Sequence, residues 1–172
     1  MILTGSEIQQ QVAKGAITIR PFDPACLTTN SYDFHLSDQI ITYKNNVLDV
    51  KQEQEVIVHT IPDEGFILEP GILYLGSTQE VIGSDFFVPT VHGKSSTGRL
   101  GLFVHITAEI IDIGSLNQFT LMFNATQPVR VYKGMKIGQV TFWKPSGEIT
   151  IYNGKYKGLN GPQKSQIFKD FS

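Results

Sequence analysis

Apolar and polar positions alternate in short runs along most of this chain, the two-residue period of strands buried on one face. Segments rich in Val, Ile, Phe and Tyr recur at Ile17–Arg20, Gln39–Tyr43, Glu55–Thr60, Gly71–Gly76, Phe86–His92, Leu102–Thr107, Gln118–Asn124, Pro128–Tyr132, Ile137–Trp143 and Ile149–Tyr152. Turn material separates them, including Lys44-Asn45-Asn46, Pro62-Asp63-Glu64-Gly65, Glu69-Pro70-Gly71 and Lys133-Gly134. About ten strands at this spacing predict an all-β barrel or jelly-roll rather than a βαβ sheet. One segment breaks the period. Thr4 with Glu7 three residues later has the form of a capping box, Ile8 and Val12 share a helical face, and Gly15 is a natural stop, so a short helix is expected before the first strand. No repeat or linker follows, which predicts one domain over residues 1–172. Residues 154–172, rich in Gly, Lys and Gln, are expected to form a mobile tail.

Composition narrows the function classes. A chain of 172 residues with 41% hydrophobic and 17% charged residues has ordinary globular character. A net charge of −2 argues against a broad surface for polymeric nucleic acid, yet a few local donors would still hold a small polyanion. Cys26 is the single cysteine, so neither an intrachain disulfide nor a thiolate zinc cluster is available, and a reducing compartment is expected. The N-terminus lacks a basic flank and a long apolar stretch, and no run approaches the ~20 apolar residues that cross a bilayer. A soluble cytoplasmic protein, cellular or made by a virus in its host, is the expectation. Zinc-dependent nucleobase deaminases need a Pro-Cys-x-x-Cys pair, which one cysteine excludes. His35, His59, His92 and His105 are scattered without ligand spacing, and each reads as structural. Gly93-Lys94-Ser95 is no P-loop, because Val88 stands where that motif requires its first glycine.

The chemically suggestive stretch is Val91-His92-Gly93-Lys94-Ser95-Ser96-Thr97-Gly98-Arg99-Leu100-Gly101-Leu102. It reads either as a phosphate cradle, with Lys94 supplying charge and Ser95 and Ser96 supplying donors, or as a polar turn with Arg99 solvated. The stretch resembles the Gly-Arg-Ser-Ser-x-x-Arg-Leu-Gly-Leu signature of dCTP deaminases, with Lys94 in place of the first arginine. Ser31-Tyr32-Asp33-Phe34-His35-Leu36 resembles that family's Ser-x-Asp-Leu-Arg-Leu, and Leu68-Glu69-Pro70-Gly71 its Leu-x-Pro-Gly turn. Thr107-Ala108-Glu109-Ile110-Ile111-Asp112-Ile113-Gly114 is similar to its Thr-Ala-Gly-x-Ile-Asp-Pro-Gly. Gly134-Met135-Lys136-Ile137-Gly138-Gln139 resembles a Gly-Met-x-Ile-Gly-Gln strand entry, and Tyr152-Asn153-Gly154-Lys155-Tyr156 the nucleotide-covering tail.

The resemblance to the dCTP deaminase and dUTPase superfamily implies a dUTPase-like distorted barrel or jelly-roll. It also implies a deoxypyrimidine nucleoside triphosphate as ligand and a homotrimer with three sites between subunits. Lys94, Ser95 and Ser96 would hold the phosphates with Mg²⁺ arriving on the triphosphate, and Tyr152 and Lys155 would close from the tail. Backbone around Thr107, Ala108 and Ile110 would read the pyrimidine, and Arg99 would orient the catalytic groups.

The likeness fails where deamination would occur. Metal-free deaminases of this family carry a glutamate base in a Thr-Leu-Glu-Leu strand; here Phe119-Thr120-Leu121-Met122-Phe123-Asn124 puts Met122 at that position, and no register shift supplies a carboxylate. Loss of a general base costs ~10²–10⁴-fold. Glu109, Ile113 and Leu159 depart from the family pattern nearby, Leu159 standing where a tail glutamine contacts the nucleotide. Asp112 is retained, and in dUTPases an aspartate in the matching segment orients the attacking water. Its plainer reading is a turn residue capping backbone amides, as Met122's is core filling. Three functions follow: dUTP hydrolysis to dUMP and pyrophosphate with Asp112 as base, dCTP deamination with Glu109 as a relocated base, or nucleotide binding without turnover.

Overall fold

The computed structural model describes residues 1–171; residue 172, the end of the expected tail, lies outside the described residues. The N-terminal helix α1 (Gly5–Ala13) forms where its pattern predicts. The Thr4 hydroxyl accepts from the Glu7 amide at 3.4 Å, but the Glu7 carboxylate accepts from Gln11 Nε2 at 2.6 Å, so only half of the capping box forms. Gly15, at φ 74°, ends the helix, and the Ala16 amide closes it on the Gln11 carbonyl. Ile8 is fully buried, and the Leu3 amide ties the helix entry to Phe142.

Eleven strands follow among the described residues: β1 (Thr18–Arg20), β2 (Tyr32–His35), β3 (Gln39–Tyr43), β4 (Val56–Thr60), β5 (Phe66–Leu68), β6 (Tyr74–Gly83), β7 (Val88–Gly93), β8 (Leu102–Phe103), β9 (Leu116–Ala125), β10 (Val129–Val131) and β11 (Lys136–Trp143). Every strand pairing is antiparallel. The main sheet runs β4-β3-β6-β9-β8 with β1 on the far end of β6; β2-β11-β7 forms a second sheet and β10-β5 a third. The fold is the expected all-β jelly-roll type with one short leading helix.

One apolar cluster joins the sheets, with Phe34 and Tyr32 of β2, Ile82 of β6, Phe123 of β9 and Phe142 of β11 fully or almost fully buried. Strand β9 shows how the period of two positions a site. Phe119, Leu121, Phe123 and Ala125 enter the core, so Gln118, Thr120 and Met122 face the other way. No described helix is long and apolar enough to cross a membrane.

Several expectations are corrected. Ile149–Tyr152 is not a strand; it runs irregularly past the loop at residue 114, where the Tyr152 amide donates to the Ile113 carbonyl. Only Leu102–Phe103 of the expected Leu102–Thr107 strand is paired as a strand; the chain bends at Val104, whose carbonyl still accepts from the Met122 amide of β9. Strand β6 begins at Tyr74 and extends to Gly83 through an irregularity between Ser77 and Val81, where Thr78 Oγ1 bonds the Glu80 carbonyl and the Phe119 amide. Strands β2 and β5 are additional. Residues 154–171 lie back along β9 in this structure. There Asn117, Gln118 and Thr120 accept from the amides of Gly158, Gly161 and Gln163 at 2.7, 2.7 and 3.1 Å.

Candidate active site

The even-numbered face of β9 floors a cavity of about 490 Å³. Its walls come from β6 through Leu75, from the segment Ala108–Asp112, and from the returning tail through Tyr152, Tyr156, Leu159 and Gln163. Most of the lining surface is apolar, with polar side chains set among it, the composition common in small-molecule pockets.

Asp112 borders both this cavity and a shallower outer depression beside Ile151 and Tyr152. The turn carrying it is held by backbone: the Asp112 carbonyl accepts from the Ser115 amide at 3.1 Å and the Gly114 amide donates to Ser84 at 2.8 Å. Its carboxylate is exposed and bonds no other described residue, so the capping role that its position suggested belongs to its main chain. A carboxylate free of partners at a cavity rim is available to orient and deprotonate water.

Met122 lines the same cavity, held in register by its amide's bond to the Val104 carbonyl at 3.1 Å. Its thioether therefore faces the site instead of filling the core, a correction to the plainer reading. Glu109 does not line the cavity: its side chain is exposed, while its carbonyl accepts from the Val91 amide at 2.8 Å. The isolated bridge between Thr90 and Ile110 turns the Glu109 side chain away from Met122's face. Ala108 and Ile110 do line the cavity; Thr107 is exposed beside it.

The expected phosphate turn lies elsewhere in the chain. Residues 95–98 form a single helical turn, α2 (Ser95–Gly98), not an irregular loop, because the Thr97 hydroxyl bonds both the amide and the carbonyl of Lys94. Ser95, Ser96 and Arg99 are exposed, and Lys94 Nζ pairs with the buried Asp33. An ammonium has three donors, so this pair leaves Lys94 further hydrogen bonds to offer. None of Lys94, Ser95, Ser96 or Arg99 lines the cavity. Tyr152 does, its hydroxyl accepting from the Tyr156 amide, whereas Lys155 stands outside and pairs with Asp170 at 2.6 Å. One chain thus gathers Ala108, Ile110, Asp112, Met122 and Tyr152 around the cavity, but not the cationic turn.

His105 is the group that sequence reasoning missed. It lines the cavity, and both its ring nitrogens are buried without a hydrogen-bond partner. A second polar cluster has a different character. Cys26 Sγ lies 3.9 Å from His35 Nε2, and His35 Nδ1 lies 2.5 Å from Glu80 Oε1, an order that superficially matches a thiol nucleophile, base and orienter. Yet Cys26 is buried, and that burial pushes its thiol up, away from the thiolate. This cluster satisfies a buried carboxylate.

The family model described as dCTP deaminase-like matches residues 2–145. The chain belongs to the dCTP deaminase-like family. Among curated members, it is 45% identical to "dCTP deaminase, dUMP-forming" of Hathewaya histolytica, with 99% of each chain covered. It is 44% identical to the protein of the same name from Leptospira biflexa, covering 99% of this chain and 98% of the relative. The solved structure of 2'-deoxycytidine 5'-triphosphate deaminase from Agrobacterium tumefaciens shares the fold, with a TM-score of 0.65 and 20% identity over 82% of this chain. The chain spans about half, 47%, of that protein's length. Of the departures already described, Met122 and Leu159 line the cavity, whereas Glu109 and Ile113 do not.

Proposed function

We propose that this protein hydrolyses dUTP to dUMP and pyrophosphate and does not deaminate dCTP. The observation that carries the reading is the pairing within one cavity of a partner-free carboxylate, Asp112, with a thioether, Met122. Hydrolysis needs one base beside the phosphates, and Asp112 supplies it. Deamination needs a proton carrier beside the ring, and Met122 cannot act as one. The curated relatives' name, "dCTP deaminase, dUMP-forming", joins the two reactions, and this chain keeps the equipment for the second.

In the proposed reaction Asp112 takes a proton from water as the oxygen attacks the α-phosphorus. The bond from that phosphorus to the α–β bridging oxygen breaks, and pyrophosphate leaves with the electron pair. Lys94 and the donors of Ser95 and Ser96 hold the phosphate chain, and Arg99 orients it. Mg²⁺ belongs to the substrate as the metal–nucleotide complex and would spread the developing charge. The donor set suits that arrangement: among the described residues no three His, Cys, Asp or Glu gather to cage an ion, and Asp112 stands alone. Because the cationic turn lies outside the cavity of its own chain, we infer a homotrimer in which one subunit's turn completes a neighbour's site. Exposed apolar side chains at Leu100, Phe103, Ile106 and Ile110 support such association.

One specific observation favours a second reading, since the relatives' name includes deaminase activity; that reading would need Glu109, which does not line the cavity. The test incubates the protein with Mg²⁺ and dUTP or dCTP in ¹⁸O-labelled water. Labelled dUMP from dUTP, without ammonia from dCTP, is expected. Ammonia from dCTP, or tight binding of dUTP without turnover, would overturn the proposal.

A further inference from the structure

We infer that the loop between β3 and β4, residues 44–55, is a catch that fastens the C-terminal segment beside the cavity, with Glu53 and Lys164 as its positioning pair. This deepens the proposed function, rests on the cavity being the nucleotide site, and concerns how long a nucleotide stays there.

The returning segment is tied down at two places. On β9, Asn117, Gln118 and Thr120 accept from the amides of Gly158, Gly161 and Gln163, all neutral bonds. The second place lies across the sheet, where β6 separates β9 from β3 and contributes Leu75 to the cavity between them. There Lys164 Nζ donates to Glu53 Oε1 at 2.8 Å and to the Gln54 carbonyl at 2.9 Å. The next residue, Ser165, donates its amide to the Tyr43 hydroxyl at 2.9 Å. Tyr43, Leu159, Gln163, Lys164 and Ser165 all line the cavity, so the segment between the two fastenings is part of its wall.

The loop is braced to receive that cation. Gln54 is buried, and its side-chain amide donates to the Asp49 and Gln52 carbonyls at 2.7 and 2.9 Å. The Lys51 amide donates to Asp49 Oδ1 at 2.9 Å. These internal bonds hold the Gln54 carbonyl in place for Lys164. Lys164 in turn holds the Glu53 carboxyl below its ordinary carboxylate range, first by its hydrogen bond and then by its charge. Lys51 Nζ adds a further contact, 5.8 Å from the centre of the Phe171 ring. The ion pair is solvent-exposed, with Lys164 32% and Glu53 59% accessible. Such a pair is weak and reversible, which suits a catch that opens and closes and would be a poor choice for a permanent lock. Its release frees the wall at the β3 side without breaking the bonds to β9. Glu53 itself does not line the cavity, so it acts on a bound nucleotide through Lys164 alone.

The test pairs hydrogen exchange with nucleotide release on the full-length protein. Glu53→Ala removes the pair at an exposed position outside the cavity and leaves the lining intact. The Gln163 and Ser165 amides should then exchange about two- to fivefold faster in the nucleotide-free protein. Dissociation of α,β-imido-dUTP should quicken by a similar factor, raising KM for dUTP while kcat is kept. Lys164→Ala should act in the same direction, and the reversed pair, Glu53→Lys with Lys164→Glu, should recover slow exchange and slow release. Unchanged exchange of Gln163 and Ser165 in Glu53→Ala would overturn the inference. Faster release in Lys164→Ala but not in Glu53→Ala would also overturn it, since Lys164 would then act on the nucleotide directly. Absence of any nucleotide binding by calorimetry would instead overturn the site, while the exchange rates would still decide the catch.

Discussion

Replacing Asp112 with asparagine exchanges a proton acceptor for an amide of nearly the same size. The carboxylate is exposed and bonds no described neighbour, so no orphaned donor is left behind and stability should change by less than about 0.5 kcal/mol. Removing the general base should lower kcat by ~10²–10⁴-fold, equivalent to about 2.7–5.4 kcal/mol of barrier. Affinity should not suffer, since loss of a negative charge beside a triphosphate relieves repulsion. Pyrophosphate release measures the first effect, calorimetry with α,β-imido-dUTP the second, and thermal unfolding the third. An Asp112→Asn protein that retains kcat within about threefold would refute the assignment. One that loses binding and activity together would show Asp112 holding the nucleotide, not the water.

Gly114 takes φ 91°, and a Cβ there would lie 2.4 Å from Ile151 Cγ2, so Gly114→Ala should cost about 1–3 kcal/mol and distort the Asp112 turn; both appear as a lower Tm and a lower kcat. Burial holds the His92 imidazole below its ordinary 6.5, a nearby His105 adding to this and Glu109 opposing it. The unfolded chain therefore takes up a proton that the folded chain refuses until lower pH. Stability should be full above about 6.5 and fall on acidification below it, and His92→Gln should flatten that part of a denaturation-versus-pH curve. Asn117 holds the tail by two bonds, to the Tyr156 carbonyl and the Gly158 amide. At about 1 kcal/mol per bond, Asn117→Ala should speed exchange of the Gly158 amide by roughly tenfold or more, measured by hydrogen exchange.

Where burial alternates cleanly, the chain announces its elements. Gln39–Tyr43 is a strand at the limits its pattern predicts, and α1 stops where Gly15 supplies a left-handed residue. Strand β2 was hidden because Tyr32, Asp33 and Phe34 are buried in succession, with Asp33 paired to Lys94 and His35 bonded to Glu80 across long sequence separations. No local period can encode such pairings. Asp112 and Met122 were legible because a family pattern marks their positions, and the cavity places both. His105 was not, since an isolated histidine carries no signal until the fold shows that nothing bonds it. Glu109 could not be placed from sequence for the same reason: its neighbours Ala108 and Ile110 line the cavity, while its own side chain is exposed outside it.

The most direct measurement offers purified protein an equimolar mixture of dUTP and dCTP with Mg²⁺ and follows dUMP, pyrophosphate and ammonia in one vessel. With Asp112 as the cavity's water-activating base and Met122 where a ring-proton carrier would stand, dUTP should disappear with matching dUMP and pyrophosphate while dCTP and ammonia stay constant. Ammonia rising in step with loss of dCTP would contradict the account.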